Sequence, residues 1–456
     1  MKDAEHHHHH VRDTFGSSFG VLVALAGSAV GLGNLWRFPY LVGENGGAAF
    51  ILIYIAFVCL LGIPVMLSEF IIGRRSQSNA RGAFRRLAPG SHWGVAGILA
   101  VVCCILILSF YSVVGGWGVE YLLRALRFDF TSGGSSDLSS FFTTFTASTW
   151  KPLVCHTAFM LASALIVVFG VKNGIEKFSK VMMPVLFVIM IGLAVRSLTL
   201  PDAGAGITYL FRPDWSKVTS DTVLAALGQA FFSLSLGSGM VITYGSYVSK
   251  KANILSLSAQ TALADTLFAL IAGCAIMPAV FAFGISPGEG PGLVFITLPH
   301  IFSNLPFGGA IAILFFLALL LAALTSSISL LEVIVTFCIE EFKLKRKTAV
   351  ALTAFVLWVL GCLCSLSLGV LGDWRIFGKT VFDLFDYVSA NVLMLIGGLL
   401  VVLFVGWKMD RKAIHDELSN SGSLHVPEWF IGLLTFLVRY LAPAAILAIM
   451  VFQWIS

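Results

Sequence analysis

Charge is what this 456-residue sequence has least of: Asp, Glu, Lys and Arg together supply 12% of it, against 58% hydrophobic residues. A soluble globular domain is about a quarter charged and at most about half apolar, so the composition excludes both a water-soluble fold and a disordered chain. The net charge of +5 is too small to mark a nucleic-acid surface, and no nucleic-acid partner is expected. The 8 cysteines form no CxxC pair; Cys103 and Cys104 are neighbours in one helix, and Cys362 and Cys364 point to different faces. That pattern argues against a metal or dithiol motif and leaves small apolar residues for core or lipid. What is abundant is hydrophobic length, with a mean hydropathy of +0.92.

A helix needs about 20 apolar residues to cross about 30 Å of hydrocarbon. Stretches free of Asp, Glu, Lys and Arg cover 14–36, 45–68, 87–119, 152–171, 181–195, 222–249, 266–288, 290–331, 348–372, 387–407 and 440–456. With one embedded charge allowed at some helix ends, they predict an all-α polytopic membrane protein of eleven transmembrane helices. The odd number puts the termini on opposite faces. Basic residues gather in alternate loops, notably Arg74, Arg75, Arg81, Arg85 and Arg86, and then Lys343, Lys345, Arg346 and Lys347. Cytoplasmic loops carry that excess, so the N-terminus is expected in the cytoplasm and the C-terminus outside, in the cell inner (plasma) membrane.

The histidine run within residues 1–10 reads as an expression tag. Residues 11–456 then form one transmembrane domain, with longer loops at 127–151, 198–221 and 285–307. Gly-x-Gly occurs mid-membrane in the first predicted helix, at Gly31 and Gly33, and again in the sixth, at Gly237 and Gly239. Five helices separate the two positions, an odd number, so the second copy enters from the opposite side. The pattern predicts an inverted 5+5 repeat, about 15–197 and about 222–408, with an extra helix at about 427–455. Irregular backbone survives in lipid only where it lines a cavity or binds something, because each unpaired group costs several kcal/mol. Gly27 and Gly31 taken alone also fit close helix packing; the mirrored pair, flanked by Asn34 and Ser233, favours two unwound helices around a site.

The run from Gly27 to Tyr40, GSAVGLGNLWRFPY, followed by ENGGAAF at Glu44 to Phe50, resembles the signature of the neurotransmitter:sodium symporters. The likeness continues through Gly62-Ile63-Pro64, Glu69, Phe232 to Gly239 and Leu324-Thr325-Ser326-Ser327. It covers essentially the whole chain after the tag and implies a sodium-coupled amino-acid symporter with unwound helices 1 and 6. Sodium ions are the cofactors it implies; the lipid bilayer and a small amino acid are the partners.

By that resemblance a first sodium takes the Ala29 carbonyl, Asn34, Ser233 and Asp265, and a second takes carbonyls of Gly27, Val30 and Ala322 with the hydroxyls of Thr325 and Ser326. The hydroxyl run alone equally fits helix-internal bonding. Asp265, near Tyr54 and Gln229, supplies a fixed negative charge where chloride-requiring relatives have neutral residues, which implies chloride independence. The substrate carboxylate is expected on the Leu32 and Gly33 amides and the Tyr111 hydroxyl. The amine is expected on the carbonyls of Ala29, Phe232 and Ser233 and on the Ser235 hydroxyl. Half-helix ends present such groups to a zwitterion. Gly31 stands where monoamine carriers have an aspartate and so points to amino acids.

Ser28, Leu32, Ile107, Phe232, Ser238, Met240, Ser326 and Leu330 surround the substrate side chain in this reading. With no charge among them, and with Ser238 small, they imply a hydrophobic or aromatic side chain. Arg37 with Asp386 forms the external gate, roofed by Phe232 and Tyr111 with Asp383 nearby. Arg12 with Glu340 forms the internal one, helped by Phe15 and Tyr247. Glu69 is expected to support the unwound segments. The segment between Gly174 and Pro184 is expected to unwind, because both residues weaken a helix. Glu332 and Arg439 are intramembrane charges with no assigned role.

Three other readings compete. A channel needs rings of repeated filter residues, which are missing. An enzyme needs a nucleophile with its base or a metal cluster, and Asp383 with Asp386 is the only close acidic pair; no catalytic residues are expected. A sodium-coupled carrier of another small amine or amino-acid derivative is the alternative within transport.

Overall fold

The computed structural model describes residues 14–130, 138–284 and 292–455, and among them it is helical throughout, with no strand. The tag region and Arg12 lie outside these residues. We label the main helices α1 (Ser18–Ala29), α2 (Gly33–Glu44), α3 (Ala48–Ser76), α4 (Gly94–Leu126), α5 (Trp150–Val168), α6 (Val171–Leu198), α7 (Ser220–Ser233), α8 (Met240–Gly245), α9 (Ile254–Ala282), α10 (Gly308–Phe342), α11 (Arg346–Leu366), α12 (Val381–Lys408) and α13 (Glu428–Gln453).

Nine of these are individually long and apolar enough to cross a membrane, and α1 with α2, bent by 51° at their junction, make a tenth candidate among the described residues. The eleventh expected crossing corresponds to α7 and α8. Each is short, at 14 and 6 residues, and Leu234–Gly239 between them is not helical. The three longer loops are only partly loops, since they contain short helices at Leu138–Ala147, Ala203–Phe211 and Leu293–Ser303. At 10, 9 and 11 residues, these helices are too short to cross a membrane.

Among these contacts, α4 packs along α10 and α5, α6 packs against α9, and α8 lies on α3. Close approach comes from small residues: a Cβ at Gly116 would sit 2.6 Å from the His156 backbone nitrogen. Lipid tails are as apolar as these side chains, so van der Waals contact between helices, rather than exclusion of water, holds such faces together.

The expected unwinding between Gly174 and Pro184 is not seen. The chain turns at Gly170, where φ is 86°, runs as a π-helix over Val171–Glu176, and continues as an α-helix from Lys177 with Pro184 inside it. A buried carboxylate holds the stretch. Glu176, 2% exposed, accepts hydrogen bonds from Gly16 N (2.6 Å) and Ser17 Oγ (3.1 Å) and pairs with Lys180 at 2.6 Å. It therefore ties the start of α1 to the start of α6.

Candidate functional site

The two Gly-x-Gly positions are where helices stop. At the end of α1, Val30 N still bonds Ala26 O, and with Val30 extended (ψ 105°) the carbonyls that follow are left for other partners. Those partners come from outside the helix: Ser326 Oγ of α10 donates to Gly27 O (3.3 Å) and Val30 O (3.4 Å), and Ser235 Oγ donates to Ser28 O (3.2 Å). On the far side of the break, Leu32 N donates to Tyr111 Oη at 3.3 Å.

The break after α7 has positive φ at Ser235, Gly237 and Gly239. Glycine is required at Gly237 on two counts: its φ is 78°, and a Cβ would lie 2.0 Å from Met394 O. Gly237 N donates to Glu69 Oε1 at 2.7 Å. Glu69, fully buried, thus supports the α7–α8 break as expected.

Between the breaks lies a cavity of about 500 Å³. Ser28, Ala29, Leu32, Gly33, Ile107 and Tyr111 form one part of its wall, and Phe232, Ser233, Ser235, Met240, Ser326 and Leu330 form another. Of the expected substrate residues only Ser238 is missing. Ser238 is fully buried, and its hydroxyl donates to Ser235 O at 2.6 Å. The glycine turns on either side direct it away from the cavity, and Met240 takes that part of the wall.

Asp265 of α9 is the hub beneath the α1 break. Asn34 Nδ2 donates to its Oδ1 (2.8 Å), while Ser233 Oγ (2.6 Å) and Tyr54 Oη (3.3 Å) donate to Oδ2. Asn34, Ser233 and Asp265 are therefore brought together, and Ala29 lines the cavity with Asn34 and Ser233. Gln229 of α7 is fully buried, and neither polar atom of its amide has a partner among the described residues. The other oxygen group also converges: Thr325 Oγ1 donates to Ala322 O at 2.9 Å, one residue before the Ser326 hydroxyl that bridges Gly27 and Val30. Both clusters consist of carbonyl, hydroxyl, amide and carboxylate oxygens, the donor chemistry of a hard cation.

Gly31 faces the same space. A Cβ there would lie 2.5 Å from Ser326 Oγ and 3.1 Å from Tyr111 Oη, so a larger residue would take room from whatever the cavity holds.

The two ends of this route differ. Toward Asp383 and Asp386 the cavity continues to exposed side chains. Arg37 and Asp386 both line it, yet no ion pair forms between them; the guanidinium lies 4.5 Å from the centre of the Phe232 ring instead. The expected gate pair is thus present but not joined.

The other end is plugged. The Phe15 ring meets those of Tyr244 and Tyr247 edge-on at 5.7 and 6.3 Å, and Phe15 N bonds Tyr247 O. Tyr247 Oη donates to Glu332 Oε1 at 2.8 Å, and Glu332, fully buried, pairs with Arg346. That pair gives Glu332 the role the sequence left blank; a carboxylate 14 residues before an arginine, across a helix turn, was the available signal. Glu340 accepts from Ser78 Oγ and Asn79 N, both at 2.9 Å, which ties it to the loop after α3; its expected partner Arg12 lies outside the described residues. Arg439 stacks on Trp407, 4.0 Å from the ring centre.

The sodium:neurotransmitter symporter family model matches residues 12–136 and 129–456. A sodium-dependent transporter of Bacillus subtilis (strain 168), YhdH, is 42% identical over 436 residues, spanning 95% of this chain and 96% of the relative. A sodium-dependent transporter of Haemophilus influenzae (strain ATCC 51907 / DSM 11121 / KW20 / Rd) is 36% identical over 455 residues, 96% of this chain and 98% of the relative. The crystal structure of MhsT in complex with L-phenylalanine superposes with a TM-score of 0.89 at 45% identity, covering 96% of this chain and 99% of that one.

Proposed function

The chain belongs to the sodium:neurotransmitter symporter family, a family of transporters and not of enzymes, and from that premise we propose that it imports a zwitterionic L-amino acid with a hydrophobic or aromatic side chain. It is a multi-pass, sodium-coupled membrane transporter. The observation that carries the finer reading is the cavity of about 500 Å³ whose wall is built from both helix breaks.

In this reading the free amides past the α1 break and the Tyr111 hydroxyl take the substrate carboxylate. The carbonyls around Ala29, Phe232 and Ser233 take the amine. Helix ends favour such charges because their unpaired groups carry the partial charge of the helix dipole. Arg37, Asp383 and Asp386 are the charged residues of the lining, toward its exposed end, and the rest of the wall, with Ile107, Met240 and Leu330, disfavours a charged substrate side chain, which would be buried unpaired. That MhsT was crystallised with L-phenylalanine supports an amino-acid substrate.

Two sodium ions travel with it, as cargo. One is held by Ala29, Asn34, Ser233 and Asp265, the other by Gly27, Val30, Ala322, Thr325 and Ser326. Each set draws oxygens from both sides of a helix junction, so occupancy fixes the angle between α1 and its neighbours. The Asp265 carboxylate already supplies the negative charge beside the first ion, so transport proceeds without chloride. Closure follows when Arg37 leaves the Phe232 face for Asp386, and release follows when the Phe15–Tyr247–Glu332 plug opens toward the cytoplasm. The two breaks, one in each of two inverted repeats at about 15–197 and 222–408, provide the hinges.

The test is uptake into proteoliposomes of a panel of radiolabelled amino acids and monoamines under an inward sodium gradient, with and without chloride. Saturable uptake of neutral apolar amino acids, abolished by replacing sodium and indifferent to chloride, is the expected result. Preference for a monoamine, or uptake indifferent to sodium, overturns the reading.

A further inference from the structure

A second cavity, larger than the first at about 1650 Å³, lies on the Arg/Lys-rich face between the α3–α4 connection and the α10–α11 connection. Arg85, Arg86, His92, Lys343 and Lys345 line it, together with Arg346, Glu340 and Glu341. The acidic residues are occupied. Glu340 accepts from Ser78 and Asn79, and Glu341 pairs with Arg81 at 2.8 Å and with Arg85 at 3.7 Å. Arg346 is taken by Glu332. Arg86 donates only to the carbonyls of Ser76 and Gln77, and among the described residues no carboxylate lies within ion-pair reach of Arg86, Lys343 or Lys345. Among the described residues, three cations therefore line one cleft with no carboxylate in ion-pair reach, and the side chains of two of them, both lysines, make no hydrogen bond there.

The cleft sits where membrane helices begin and end: α3 ends at Ser76, α4 starts at Gly94, α10 ends at Phe342 and α11 starts at Arg346. Apolar side chains run directly from it. Val95, Ile98 and Val102, at helical spacing just past His92, are 53%, 37% and 38% exposed, and Phe342, beside Lys343, is 62% exposed. A soluble anion has no use for such a track, whereas the acyl chains of a lipid do.

We propose that this cleft binds the headgroup of an anionic phospholipid, its phosphate on Arg86, Lys343 and Lys345 and its acyl chains along the Val95–Ile98–Val102 face of α4. Basic pockets at the cytoplasmic end of membrane helices suit such headgroups, and each cation near the surface contributes about five-fold in affinity. The Phe15–Tyr247–Glu332 plug borders the same cleft through Tyr247 and Arg346, so a bound headgroup braces the wall of the cytoplasmic exit.

The experiment uses the full chain, delipidated in mild detergent and titrated with phosphatidylglycerol, phosphatidylcholine or inorganic phosphate, with bound lipid counted by native mass spectrometry. The triple variant Arg86→Gln/Lys343→Gln/Lys345→Gln is compared with the charge-keeping Arg86→Lys/Lys343→Arg/Lys345→Arg. Sodium-dependent thermal stabilisation is recorded on each as the fold control. Phosphatidylglycerol is expected to bind the wild type and the charge-keeping variant at least about ten-fold more tightly than the glutamine variant, with phosphatidylcholine weak throughout. Equal retention of phosphatidylcholine, undiminished retention by the glutamine variant, or displacement of the lipid by inorganic phosphate overturns the proposal; the last outcome assigns the cleft to a soluble anion. Should the glutamine variant fail its fold control, the lipid preference and phosphate competition of the wild type decide alone.

Discussion

Asn34 Nδ2 donates to Asp265 Oδ1 at 2.8 Å, joining the first helix break to a helix 231 residues further along the chain. The same carboxylate takes the hydroxyls of Ser233 and Tyr54, so one buried anion connects three other segments. A cation placed among these oxygens meets a full negative charge where an amide would offer only a dipole. Asp265→Asn is therefore expected to weaken sodium affinity by about 10- to 100-fold, equivalent to about 1.4–2.8 kcal/mol, and to make uptake respond to chloride. Sodium titrations of substrate binding, with chloride or gluconate as the anion, measure both.

The other oxygen cluster separates two kinds of hydroxyl. Ser326 Oγ reaches across to Gly27 and Val30, whereas Ser327 Oγ bonds Ser163 at 2.7 Å, on the opposite side of α10. Ser326→Ala and Thr325→Ala should each raise the sodium concentration for half-maximal binding by roughly 5- to 10-fold. Ser327→Ala should leave it unchanged and lower thermal stability by about 1 kcal/mol, the net worth of a buried hydrogen bond. A sodium shift in Ser327→Ala equal to that in Ser326→Ala would contradict the assignment.

Gly31 lines the cavity beside Ser326 and Tyr111. In Gly31→Asp the Cβ collides with Ser326 Oγ, and the carboxylate takes the place proposed for that of the substrate. Amino-acid binding should fall by more than about 100-fold, because two like charges would then share one buried site. Equilibrium binding of labelled amino acid checks this.

Met240, and not Ser238, lines the cavity proposed to hold the substrate side chain. Met240→Ala removes an unbranched, adaptable chain and should shift preference toward bulkier side chains. A pocket change of a few methylenes discriminates by about 10- to 200-fold, so the ratio of inhibition constants for tryptophan and leucine should move by roughly 10-fold in favour of tryptophan. Ser238→Ala should leave that ratio unchanged.

Glu332, fully buried, pairs with the partly buried Arg346, and removing one partner strands the other. Either Glu332→Gln or Arg346→Gln alone should destabilise the plug by about 3–5 kcal/mol, and the double substitution by less than the sum. Hydrogen exchange at Tyr247 and its neighbours, compared across the double-mutant cycle, reads this directly. Additive effects would separate the two residues.

Much of this was legible in the sequence, and the division is a physical one. Composition and run length specify helices in a bilayer, because a backbone in hydrocarbon has few other ways to bond itself. Glycines and hydroxyls at fixed spacing mark where the helices break and which oxygens are near, since those depend on local backbone freedom. The partners of the charges were not legible. Glu332 finds Arg346, Glu340 holds Ser78 and Asn79, Arg37 lies on Phe232 and not on Asp386, and Ser238 stays out of the cavity that Met240 lines. Each of those outcomes depends on how helices distant in sequence are packed and turned against one another. No local run of residues encodes that distance or angle, so the sequence by itself determined the material of the site and the tertiary structure decided its connections.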